Sequence, residues 1–342
     1  MAKARVRQTA TDPHGHEADS PWRIPRAGWK QVIGRTWQQI WIDNVWLVAA
    51  GVAFYGFLAV VPLLAAIILV YGLLADLGTV IDTMRTLFRV FPNDIAKLLS
   101  DQVSGIVHTS ESKKGLGLVI ALGIALYGSS NGASAIITAL NIAYEEREKR
   151  PLWEYYLLTL AITVGVVVTA LLALGATAVV ATLEDFFPRA SGAAILFGKS
   201  VAYLAMTLVG AAIAATLYRF APSRSQARWE WITPGSIFAS VAWLLLTLAF
   251  GFYVSKIANY AATYGSLAAV AGLLTWMYLS SYAFVIGAEL NREVEHQTAK
   301  DSTTGQPRPM GTRGAWAADH VARDDRPRKA KAKPEISDRK SD

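Results

Sequence analysis

Five histidines, His14, His16, His108, His296 and His320, are the chain's nitrogen donors for a transition metal, and no two stand at the i, i+4 spacing that sets a pair of zinc ligands on one helix face. With no cysteine anywhere, thiolate metal sites, iron–sulfur clusters, disulfides and cysteine nucleophiles are excluded. No Gly-rich phosphate loop ending in Lys-Ser/Thr occurs, and no serine sits in a nucleophile elbow. The acids Glu145, Glu146, Glu148, Glu154 and Glu289 fall at the ends of apolar runs, where water reaches them, and do not pair into an acid–base couple. The sequence therefore predicts neither an enzyme nor a bound cofactor or metal.

What remains is polar chemistry in costly places. Tyr55 and Pro62 lie inside the apolar run AFYGFLAVVPLL, and the stretch YGSSNGASAIITALNIAY puts Gly128, Ser129, Ser130, Asn131 and Gly132 in the middle of another. A proline there frees a carbonyl, which predicts a kink, as hinge or cavity wall or as a packed bend. Glycines four apart admit a neighbouring helix closely, so the same five residues read either as a packing seam, hydrogen-bonded across the contact, or as the polar lining of a solute path. A third set, Asn141, Arg147, Arg219, Glu289 and Asn291, stands where the runs end, and predicts a polar cluster closing the cytoplasmic mouth of a bundle.

The elements that must hold these residues follow from composition. The 342 residues are 53% hydrophobic and only 17% charged, outside the range of soluble domains. About 20 apolar residues in a helix cross the hydrocarbon layer. Six runs satisfy this, at about 46–74, 116–140, 157–183, 193–217, 234–254 and 265–288, with Pro234 placed for a first helical turn and Gly265 and Gly272 for close packing. None shows the alternation of a membrane β-barrel, and no cleaved leader precedes them, so the fold class is all-α, a polytopic membrane protein with six transmembrane helices.

Flanking segments complete the domain plan. Residues 1–26 read as a disordered cytoplasmic tail and 299–342 as a disordered basic one, bracketing a membrane domain over 27–298. Trp29, Ile33, Trp37, Ile40, Trp41 and Val45 follow the 3.6-residue period and predict an amphipathic interfacial helix. Residues 75–114 predict an outer amphipathic helical hairpin broken at Pro92. In the short loops Arg147, Lys149, Arg150, Arg219, Arg224 and Arg228 share a side with both tails, against Arg189, Lys199 and Lys256 opposite, so the positive-inside rule puts both termini in the cytoplasm. Anionic lipid headgroups account for the net charge of +7, and no nucleic-acid partner is predicted.

The segments AFYGFLAVVPLL, SSNGASAIITALNIAYEER, LYRFAP, TPGSIFASVAW, YGSL and GAELN, in this order over about 27–298, resemble the YihY/virulence factor BrkB family of bacterial inner-membrane proteins. The resemblance implies a six-helix inner-membrane protein with links to virulence, serum resistance or export. Members have carried a ribonuclease BN label, which the scattered histidines here do not support. Two functions stay open at this level: a transporter or exporter of a small molecule, its path lined by Tyr55, Ser129, Ser130 and Asn131, or a non-transporting scaffold for envelope assembly or virulence. A homo-oligomer is compatible with both.

Overall fold

The computed structural model describes residues 12–74, 116–186, 192–256 and 267–322, and among them it is helical apart from turns and one isolated bridge. An interfacial helix α1 (Arg26–Ile42) leads into six long helices: α2 (Val45–Leu74), α3 (Leu116–Ala143), α4 (Leu152–Phe186), α5 (Gly192–Phe220), α6 (Trp229–Lys256) and α7 (Ala268–His296). A single turn, α8 (Trp316–Asp319), follows. All six long helices are long and apolar enough to cross a membrane. The hairpin read at 75–114, and Gly265, lie outside the described residues.

The long helices stand in a row, α4–α3–α2–α7–α6–α5, with α1 across the foot of α7. The starts of α2, α4 and α6 and the ends of α3, α5 and α7 share one end of the row with both terminal segments, here called the terminal face. Each of the six helices reaches further toward this face than its apolar run does. Helix α7 is the clearest case: its apolar run ends near Ala288, yet it continues two turns to His296, because Glu289, Arg292, Glu293 and His296 recur at i, i+3, i+4 and i+7 and bond one another and their neighbours.

Two sequence expectations change in detail. Helix α6 starts at Trp229, so Pro234 sits in its second turn, and the interrupted ladder is patched from α7: Asn291 Oδ1 accepts from Gly235 N at 2.6 Å and its Nδ2 donates to Ile232 O at 2.9 Å. A Cβ on Gly235 would collide with the Gly287 carbonyl, so α6 and α7 cross backbone to backbone. Gly272, by contrast, faces open space.

Helix α1 carries two stripes. Ile33, Trp37 and Trp41 are exposed, whereas Gly28, Val32, Thr36 and Ile40, at a strict four-residue spacing, are buried. Of the stripe read from the sequence, Ile33, Trp37 and Trp41 thus face outward, whereas Ile40 and Val45 are buried and Trp29 packs against an inner core. That small apolar core joins Val32 to Ala18, Ile24, Trp231 and Val294, and each large side chain withdrawn from water there contributes about 1.5–3 kcal/mol.

Of the flanking tails read as disordered, residues 1–11 and 323–342 lie outside the described residues, and the described parts are ordered. Residues 12–25 and 299–322 fold over the terminal face. Ala299 N donates to His16 O at 2.7 Å, Ala322 N to His296 O at 2.8 Å, and Arg228 N to Ser302 O at 2.9 Å. Thr303 bridges Ala227. Buried Arg313 donates to the carbonyls of Ala318 (2.6 Å), Ala299 (2.9 Å) and Arg308 (3.1 Å), wrapping the segment around one guanidinium. This order comes from main-chain groups captured by polar side chains, which leaves no hydrophobic period to read.

Candidate functional site

Gly128 and Gly132 fall on the α2–α3 contact. A Cβ at Gly128 would lie 3.1 Å from Pro62 Cβ, and one at Gly132 would lie 3.2 Å from Ala59 Cβ, so the Pro62 ring and the small residues of α2 seat directly in the glycine frame. Ser129 is buried in that seam but bonds its own helix, donating to Ala125 O at 2.9 Å and Leu126 O at 3.0 Å, and Ser130 donates to Tyr127 O at 2.7 Å. The two serines therefore cost little in lipid and glue no neighbour.

Asn131 lies on the other side of the seam. It is exposed, its nearest acceptor is Gly128 O at a marginal 3.5 Å, and it faces a cavity of about 430 Å³ between α2 and α3. Val48, Gly51, Val52 and Tyr55 form one wall, and Asn131, Ser134, Thr138 and Ile142 the other. On α3 these positions recur at i, i+3, i+7 and i+11, one helical stripe, so three polar groups and then an aliphatic one follow a groove that runs from mid-helix toward the terminal face. Tyr55 is 49% exposed there.

The predicted mouth cluster divides into separate nodes. Asn141 accepts from Ser223 N at 2.7 Å and donates to Glu148 Oε2 at 2.9 Å, tying the end of α3 to the α3–α4 and α5–α6 loops. Glu148 has its carboxyl held low: burial opposes this, but the Arg150 amide, Asn141 and the Arg150 charge outweigh it. Arg147 is exposed. Arg219 lies over the rings of Trp229 (4.5 Å) and Phe220 (5.4 Å) at the rim. Asn291 bonds α6 as described. Only Glu289 joins a larger network.

That network is the polar core of the terminal face, and most of it escaped the sequence reading. Arg292, fully buried, meets Glu145 Oε1 and Glu293 Oε1 at 2.9 Å each and Glu289 Oε2 at 3.5 Å, while its guanidinium caps the Trp316 ring at 5.3 Å. Gln39, oriented as its neighbours require, adds a carbonyl acceptor for Arg292 at 3.2 Å. Arg35 of α1 holds Glu293 Oε2 at 2.6 Å. Glu145, two residues past the end of α3, sits at φ +56°, a left-handed position that glycine usually fills, so the chain keeps a strained glutamate where its carboxylate reaches Arg292. Next to this core, Arg224 and Glu295 form a second buried pair, 2.7 and 3.0 Å, under the Tyr144 ring. The signal that could have found these residues is the ELNREVEH heptad spacing, which continues α7 past its apolar run. Among the described residues no three His, Asp or Glu converge to hold a metal ion.

Six apolar helices in a row, a polar-striped lateral groove and a buried ionic platform at one end define a polytopic α-helical membrane protein. The profile of the Virulence factor BrkB family matches residues 36–311, and the chain belongs to that family. It is 32% identical over 194 residues to the ribonuclease-like protein YfkH of Bacillus subtilis (strain 168), spanning 55% of this chain and 70% of that one. It is 23% identical to the UPF0761 membrane protein PSHAa0171 of Pseudoalteromonas translucida (strain TAC 125), over 80% and 88% of the two chains. No solved structure matches.

Proposed function

We propose that this protein transports or exports a small molecule across the bacterial inner membrane, with the α2–α3 groove forming the part of the path that opens toward the cytoplasm. The observation that carries the reading is Asn131. Its polar amide faces a 430 Å³ groove beside Tyr55, Ser134 and Thr138, and not the glycine seam that would otherwise satisfy it. A mixed aliphatic and hydroxyl lining suits an amphipathic solute, which the aliphatic wall desolvates and the hydroxyls and amide orient. The terminal face as the cytoplasmic one is supported by the Arg and Lys of its short loops, and its exposed rim of Trp22, Trp37, Trp41, Trp46, Trp153 and Trp229 suits a membrane–water interface. The ribonuclease-like name belongs to the Bacillus relative. No acid, base and metal-binding set among the described residues of this chain supports that chemistry here.

The chain's lack of cysteine makes the test clean. Single cysteines at 131, 134 and 138 and at 55 should react with a membrane-impermeant thiol reagent applied from the terminal face, whereas cysteines at 133 and 137, both buried, should stay protected. Labelling of the first four no faster than that of the buried pair leaves the groove dry or lipid-filled and sinks the transport reading, in favour of a scaffold.

A further inference from the structure

At the foot of α7 two carboxyl groups face each other with no donor between them. Glu289 is 0% exposed, and neither of its side-chain oxygens finds a hydrogen-bond donor. The group within hydrogen-bonding reach of it is a second acid, Asp43, at the end of α1. Two carboxylates cannot bond each other, whereas a carboxylic acid and a carboxylate can, through the proton one of them carries.

The surrounding charges supply no alternative. From α1 come Arg35 and Asp43, from the end of α3 Tyr144 and Glu145, and from α7 Arg292, Glu293 and His296, with the Arg224–Glu295 pair behind Tyr144. Arg35 and His296 serve Glu293, at 2.6 and 3.4 Å. Arg292 spends its close contacts on Glu145 and Glu293 and reaches Glu289 only at 3.5 Å. Four carboxylates thus share two guanidiniums in a water-poor site, an imbalance that one bound proton relieves. Asp43 itself is pushed above the usual aspartate range, by burial first and by Glu145 and Glu293 in addition, against the pull of Arg292. It is only partly buried and so connects Glu289 to water.

We propose that Asp43 and Glu289 form a proton-binding site, taking up one proton from the aqueous side of the terminal face through Asp43 and holding it between the two carboxyl groups. The step is a protonation alone, carboxylate plus proton to carboxylic acid. Both walls of the groove are rooted beside the site, since α2 begins two residues after Asp43 and α3 ends two residues before Glu145. The assignment nonetheless stands whether or not the groove conducts a solute.

Infrared titration of the full-length protein in lipid nanodiscs tests it. The wild type should show the carbonyl band of a protonated carboxylic acid at neutral pH, shifted in heavy water. Glu289→Gln, which mimics the protonated shape, should remove that band with helicity unchanged. Asp43→Asn should keep the band but move its titration midpoint, which decides the matter should Glu289→Gln fail to fold. A wild type without the band at neutral pH, a band indifferent to Glu289→Gln, or a midpoint indifferent to Asp43→Asn overturns the assignment. Because this readout needs no solute, it can fail independently of the thiol labelling.

Discussion

Arg224→Met offers the sharpest test of how the terminal face is held. The Arg224 side chain is 2% exposed and the Glu295 side chain 0%, joined by contacts of 2.7 and 3.0 Å, with Ser302 Oγ donating a third bond to Glu295 at 2.7 Å. Removing the guanidinium leaves a fully buried carboxylate with a single hydroxyl partner, and breaking a buried pair in this way costs about 3–5 kcal/mol. Replacing both partners removes the charge along with its desolvation, so Arg224→Met with Glu295→Gln should lie closer to wild type than Arg224→Met alone, with a coupling of about 2 kcal/mol or more. Burial works against the Arg224 charge, yet Glu295 outweighs it and holds the guanidinium above its ordinary value. A cation raised in this sense stabilises below its unfolded pKa and loses that contribution only as pH rises through the folded one, far above any working buffer. The intact pair should therefore hold in the wild type alike at pH 6 and pH 9. Urea unfolding in mild detergent, followed by tryptophan fluorescence, measures all four corners of the cycle. A single variant within about 1 kcal/mol of wild type, or strict additivity, would refute the reading of this pair as the clamp between the α5–α6 loop, α7 and the C-terminal segment.

Gly235→Ala should lower the melting temperature clearly, at a cost of about 1–3 kcal/mol or more for overpacking the α6–α7 crossing against Gly287, while Gly272→Ala, with open space around it, should stay within about 0.5 kcal/mol. Thermal unfolding of the two variants side by side decides this. Asp301 is held below the usual aspartate range: burial opposes it, but the amides of Arg308 and Thr303, the Thr303 hydroxyl and the Arg313 charge outweigh that. A depressed acid stabilises above its unfolded pKa and loses the contribution as pH falls through the folded one, so residues 299–322 should become protease-sensitive below about pH 4. Asp301→Asn should be sensitive already at pH 7 and show no further acid step, and limited proteolysis across the pH range reads both.

The six membrane helices were legible because twenty or more apolar residues in succession leave few alternatives. Gly128 and Gly132 stand four apart against α2, where an added Cβ would come within 3.1 Å of Pro62 and 3.2 Å of Ala59, tight enough that the neighbour must give. Whether Asn131 turned toward that seam or away from it depended on the angular position of α2, which α3's own sequence does not encode. The terminal face was harder still. Its order depends on Arg292, Arg224 and Arg313, each bonding groups far apart in the chain, and an arginine destined for burial looks in sequence like one bound for solvent. Arg147 and Arg219, chosen because they sat at helix ends, illustrate the difficulty: one is solvated and the other stacks on Trp229, while the unnoticed Arg292 binds three carboxylates.

The placement of these features couples the two regions. Along its length α3 meets α2 through small residues in van der Waals contact, and buried Ser129 bonds within its own helix. At its terminal end, by contrast, Asn141 anchors α3 to Ser223, and Glu145, just beyond the helix, is anchored to Arg292. Helix α2 starts at Val45, directly after Asn44, which has φ +48° and adjoins Asp43. A change in charge between Asp43 and Glu289 would therefore fall beside the terminal ends of both groove walls, at the start of α2 and just past the end of α3.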